Sequence, residues 1–299
     1  MNLSTVDPSL YNILFVVMDS CRYDTAAKAN IPFIKGLGQI RRALSHADYT
    51  LPAHFAMFDG RLPTVEESPF LPLYTDAVRQ LWRVSPQGFF ETKPKNEIAL
   101  ALTGDNIIEG HRRLGYFALG VASLNYFVRG RPLNRMFHLF LDYYDVKEDL
   151  ISPRPLSRFP LHHYEDIVTN LEGHDKWFLF INTQETHYPY DIGRGYDPGL
   201  LPLLEKMKRH LNMRHGGEKF STEESDALHQ MQIRALETVD HRLKQLVRKL
   251  PRNRPILVVI TGDHGESFGE EFYGFNRCGH LHPSPEVLHV PLLIGSVES

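Results

Sequence analysis

Cysteine is scarce: Cys21 and Cys278 are the only two in 299 residues. Two thiols alone indicate no disulfide framework. Long apolar runs are missing too, since nothing approaches the roughly 18 consecutive apolar residues of a membrane-crossing helix. The opening residues, MNLSTVDPSLYN, lack the basic segment and apolar core of a secretory signal. These absences set the expectation of a cytoplasmic protein with no membrane anchor. Excess charge is lacking as well, because 33 Lys and Arg oppose 36 Asp and Glu for a net charge of −3. A nucleic-acid binder is usually strongly basic, so nucleic acid is not an expected partner. No internal repeat or low-complexity tract interrupts the chain.

What is present is an ordinary globular composition, 42% hydrophobic and 23% charged, with 20 prolines and 16 histidines. Three short apolar runs, Ile13–Met18, Trp177–Asn182 and Ile256–Thr261, have the length and continuous apolar character of parallel strands covered on both faces. Between the last two, Ser221–Leu250 opens with a capping box, Ser221 and Glu224 or Thr222 one step later. Leu228, Met231, Leu236, Val239, Leu243, Leu246 and Val247 then recur at helical spacing, and Pro251 marks the end. Strand, long helix, strand is the βαβ unit of a doubly wound sheet. The reading is one α/β domain over 1–299, with a mostly parallel central sheet flanked by helices and a substrate-facing insertion around 64–176. Within that stretch, GYFALGVASLNYF (115–127) reads as a further strand followed by a small-residue loop. Residues 128–175 read as loops and helices above the sheet edge.

Chemistry-bearing side chains follow the strands, where open α/β sheets place their ligands. Asp19 ends the first run, either as a helix cap or as a ligand. Thr50 stands before Leu51-Pro52-Ala53-His54, either as an N-cap or as a nucleophile ionised by a metal. Asp263-His264 lies between Gly262 and Gly265, whose backbone freedom lets neighbouring side chains converge on one cation. An ordinary strand exit is the plainer alternative. His187 follows the middle strand, and His280 and His282 stand before a last apolar strand. All of these residues fall at one end of the expected sheet.

Taken together, the segments NILFVVMDSCRYD, YTLPAH, FLFINTQETHYPY, ALETVDHRLKQLVRKL and GDHGESFGE…GHLHPSPEVLHVPLLI resemble the alkaline phosphatase/sulfatase superfamily, in family order. The likeness covers about residues 10–63 and 177–294, and within the superfamily it suits a small sulfatase-like hydrolase. It implies an alkaline phosphatase-like fold and a metal-dependent ester hydrolase or transferase. Three departures narrow it. Sulfatases carry Cys-x-Pro-x-Arg with a Cys or Ser oxidised to formylglycine, where this chain has Thr50 and His54. Ser20 replaces a usual second metal Asp, and Thr183 replaces the Asp four before His187 of two-zinc phosphatases. What remains is similar to the one-metal, threonine-nucleophile lipoteichoic acid synthases and phosphoethanolamine transferases.

That resemblance implies that Asp19, Thr50, Asp263 and His264 hold one divalent ion. Zinc or manganese is favoured, with magnesium or calcium compatible. His187, His280 and His282 are then expected to bind the substrate's oxygens or protonate its leaving group, with Thr50 as covalent nucleophile. His54 and Arg22 join His187 as substrate-binding candidates, with His54 placed to orient either Thr50 or an oxyanion. A second ion has room if His280 or His282 joins His187 and a carboxylate such as Glu185 or Asp191, while Glu266 is expected only to brace. The expected substrate is a small phosphate or phosphonate ester. The alternatives are a sulfate ester or a retired binding scaffold.

Overall fold

The computed structural model describes residues 7–60, 106–145, 155–193, 197–211 and 218–299. Its strands are β1 (Asn12–Met18), β2 (Arg41–Leu44), β3 (Phe117–Ala122), β4 (Leu139–Asp142), β5 (Trp177–Thr183), β6 (Ile256–Gly262), β7 (Ser267–Phe272), β8 (Phe275–Gly279) and β9 (His289–Val297). Seven of them form one sheet in the order β2-β9-β6-β1-β5-β3-β4, and β7 and β8 form a separate hairpin. β6, β1, β5, β3 and β4 run parallel, while β9 is antiparallel to both β6 and β2. The three apolar runs of the sequence are therefore the three central strands.

β1 is buried throughout because both sheet faces are covered. Alternate side chains serve opposite cores, as strand geometry requires. Leu14, Val16 and Met18 pack with Ile34 and with Leu236, Val239 and Leu243 of the helix Thr222–Lys249. Ile13, Phe15 and Val17 pack with Phe178, Phe180 and with Phe55 and Phe58 of the helix Thr50–Asp59. A third cluster, holding Tyr188, Tyr190, Leu204, Met207, Leu228 and Phe268, lies apart from these two. Thr222–Lys249 begins at the expected cap: Ser221 Oγ accepts Glu224 N–H, and Glu224 reaches back to Ser221 N–H at 2.8 Å.

The stretch 128–175 departs from its expected loops and helices. It supplies strand β4, which pairs in parallel with β3 and forms the sheet edge. Three half-buried residues, Leu139, Phe140 and Leu141, followed by an exposed Asp142, carry too short a pattern to stand out. Most of the proline-rich stretch 64–110 lies outside the described residues.

The register of the central strands aligns their carboxyl ends. Met18 pairs with Thr183 on one side and with Gly262 on the other. β1, β5 and β6 thus finish at one level, and the residues after them emerge side by side.

Candidate active site

Asp19 follows β1, and Asp263 and His264 follow β6. Ser20 adopts φ 59°, which turns the chain after Asp19 and lets its N–H donate to Asp263 Oδ1 at 3.0 Å. His264 N–H donates to the same oxygen at 2.8 Å. Asp263 Oδ2 is left buried without a hydrogen-bond partner, 3.7 Å from His264 Nε2. His264 directs Nδ1 at the Gly265 carbonyl (2.9 Å), which assigns the proton to Nδ1 and the lone pair to Nε2. That nitrogen lies 3.7 Å from Asp19 Oδ1 and 3.3 Å from Thr50 Oγ1. Ser20 Oγ steadies Asp19 from behind, 3.2 Å from Oδ1.

Thr50 is the first residue of its helix rather than the cap; Tyr49 is the cap, and its side chain makes no capping bond. The hydroxyl is therefore available at the positive end of a buried helix, where developing negative charge is favoured. Ligand atoms of Asp19, Asp263 and His264 all lie within 4.8 Å of one another. Among the described residues, the basic groups within 4 Å of Asp263 are the imidazoles of His54 (3.9 Å) and His264. Burial pushes both toward the neutral form. A buried carboxylate without a counter-charge is costly, so two carboxylates, an imidazole and a hydroxyl fit a divalent cation.

A second group stands beside the first: His187, Glu266 and His280, again with ligand atoms within 4.8 Å. The rings of His264 and His280 are 4.7 Å apart. His187 directs Nδ1 at the Tyr188 carbonyl (2.7 Å), which leaves Nε2 as the acceptor nitrogen. Glu266 Oε1 meets His280 Nδ1 at 3.2 Å, and Oε2 accepts the Tyr190 hydroxyl at 2.7 Å. Burial opposes ionisation of Glu266, but the His280 hydrogen bond and the neighbouring His187 and His280 imidazoles outweigh it and hold the carboxyl below its usual range.

A sequence model of one family, described as Sulfatase, matches residues 11–297. The chain belongs to the sulfatase family. With it comes membership of the alkaline phosphatase/sulfatase superfamily, whose enzymes act on sulfate or phosphate esters and bind divalent metals. No curated protein sequence matches the chain. Among solved structures, the phosphonate monoester hydrolase of Agrobacterium radiobacter is 15% identical, with 95% of this chain and 68% of that chain covered and a TM-score of 0.60. The C-terminal periplasmic domain of Escherichia coli EptC, in complex with Zn, is 14% identical over 98% and 75%, at 0.59. The Streptococcus pyogenes phosphoglycerol transferase GacH, in complex with sn-glycerol-1-phosphate, is 19% identical over 98% and 69%, at 0.56. Likeness at this level shows the fold, an α/β domain built on a mostly parallel sheet.

Several candidates of this sulfatase-family site sit elsewhere than expected. His54 is fully buried among Phe58, Phe127 and Phe180. Its Nδ1 meets the Thr50 carbonyl at 2.7 Å and its Nε2 meets Asn182 at 3.3 Å, so it holds Thr50 rather than substrate. Arg22 spends its guanidinium on Asp24 (2.7 and 2.9 Å) and Glu270 (2.5 Å), tying the segment after β1 to strand β7. His282 turns from the cluster to Ser267 Oγ (2.9 Å), and burial drives its pKa down to about 4, so it is neutral near pH 7. The second group's carboxylate is Glu266; Glu185 pairs with Arg242 at 3.0 Å, and Asp191 accepts Gly193 N–H. Nor do Gly262 and Gly265 adopt left-handed angles. They are needed for close approach, since a Cβ on Gly265 would overlap the Glu286 carbonyl oxygen.

One contributor escaped the sequence reading. Gln232 is fully buried on the long helix. Its amide donates to the Ser20 and Thr186 carbonyls (2.8 and 3.0 Å), and its oxygen accepts Thr25 Oγ1 (2.6 Å). It thereby joins the loop after Asp19 to the loop before His187. The signal was a lone amide on the apolar stripe of Leu228, Ala235 and Val239.

Proposed function

We propose that the chain transfers a phosphoryl group from a small phosphate or phosphonate ester through a covalent Thr50 intermediate. The supporting observation is the Thr50 hydroxyl, 3.3 Å from His264 Nε2 and at the N-terminus of a buried helix. Asp19, Asp263, His264 and Thr50 would hold one divalent ion, with zinc or manganese favoured by the imidazoles. His187, Glu266 and His280 would hold a second. A bound ion of this kind lowers the pKa of an attached hydroxyl and takes up charge on a non-bridging oxygen.

Thr50 Oγ1 attacks phosphorus as the bond to the leaving oxygen breaks; the threonine proton passes to water, and the departing oxygen takes a proton from water in turn. The helix end and the His54 bond to the Thr50 carbonyl fix the hydroxyl's position. His187 and His280 are half-buried, on the more open side, and an ion held there with Glu266 would take up charge on a phosphoryl oxygen or on the departing group. Water or an acceptor alcohol then attacks the phospho-threonine and releases Thr50. Threonine in place of the oxidisable Cys or Ser favours phosphoryl over sulfuryl transfer.

The test is a panel of aryl phosphate monoester, diester, phosphonate ester and sulfate ester. Thr50→Ala is expected to lose more than about 10³-fold in turnover with an unchanged circular dichroism spectrum. Wild-type rates in that variant would overturn the covalent route, and preference for the sulfate ester would overturn the phosphoryl assignment.

A further inference from the structure

We infer that Tyr190 determines which cation the His187–Glu266–His280 group accepts, by committing one oxygen of Glu266 and leaving the other to the imidazoles. This rests on the proposal that the group holds an ion. The Tyr190 hydroxyl donates to Glu266 Oε2 at 2.7 Å, while Oε1 meets His280 at 3.2 Å. Glu266 is fully buried, so solvent does not compete for Oε2.

The phenol is held where it is. Phe268 and Tyr188 meet its ring edge-on, at 6.0 and 6.3 Å between centroids. Its oxygen also touches Met207 Sδ (3.7 Å) on the helix Leu201–Leu211. Tyr188 is itself tied to that helix through the Leu204 carbonyl (2.8 Å).

A carboxylate with one committed oxygen offers a single oxygen beside two imidazoles. That nitrogen-rich set suits zinc. Calcium takes about six to eight oxygens, often with both oxygens of a carboxylate. Removing the phenol oxygen frees Oε2 and shifts the set toward oxygen. Tyr190 touches no reacting atom in this scheme, so its role is positioning.

The test titrates the metal-stripped full chain with zinc, with and without excess calcium, and counts bound ions by equilibrium dialysis. Asp263→Asn assigns the first site and His280→Ala the second. Wild type is expected to take two zinc ions, neither displaced by calcium. Tyr190→Phe is expected to keep the first-site affinity, weaken second-site zinc about 10–100-fold and yield that site to calcium. If it fails to fold, Tyr190→Leu, which also lacks the hydroxyl, carries the same expectation. Unchanged zinc affinity and calcium resistance would overturn the role of Tyr190 while leaving the two-ion reading intact. A wild type that binds one ion, retained in His280→Ala, would overturn both.

Discussion

The two groups of candidate ligands sit ring to ring yet are built differently. Asp19, Asp263 and His264 are fully buried and sit directly after β1 and β6, so the sheet register itself places them. His187 and His280 are half-buried and come from loops, with Glu266 fixed between them by Tyr190 and by His280. Backbone geometry specifies the first; side-chain bracing specifies the second. A buried site of fixed geometry suits a retained ion and a nucleophile. An open, braced one suits a group that meets changing substrates.

Breaking the first group is expected to have the largest effect. Asp263→Asn should lower kcat/KM by more than about 10³-fold. Without added metal, the same variant should melt at or above wild type, because it removes an uncompensated buried charge. Differential scanning calorimetry of the stripped proteins checks that sign. Disabling the second group should cost less: His280→Ala is expected to lose about 10²–10³-fold in activity while keeping the first ion, which steady-state kinetics and metal counting separate. Gln232→Met tests what the two share. It leaves the Ser20 and Thr186 carbonyls without their donor, at about 1–3 kcal/mol each. Melting should fall by several degrees, with a loss in activity of about tenfold from both groups drifting together.

How much was legible in the sequence follows the same division. The central strands could be read because β1, β5 and β6 are covered on both faces and so are continuously apolar. β2 and β4 could not, being four-residue edge strands with half-exposed or exposed side chains. Asp19, Asp263 and His264 could be located because they directly follow β1 and β6, whereas Thr50 follows the unread edge strand β2 and was singled out through the family resemblance. The directions of Arg22, His54 and His282 were not legible. Each is decided by a partner far along the chain or on a folded hairpin: Glu270, Asn182 and Ser267. Glu266 was visible as a residue, but only Tyr190 and His280 reveal which way it faces.

The level finish of β1, β5 and β6 also bears on folding. Ser20 and Asp263 are 243 positions apart, and Thr186 reaches Asp19 across 167. Contacts this distant in sequence carry the largest loop-closure cost and form slowly. No fragment ending before Asp263 contains the first group. Cation uptake there would report that β6 has docked beside β1, which would make metal capture a marker of late assembly.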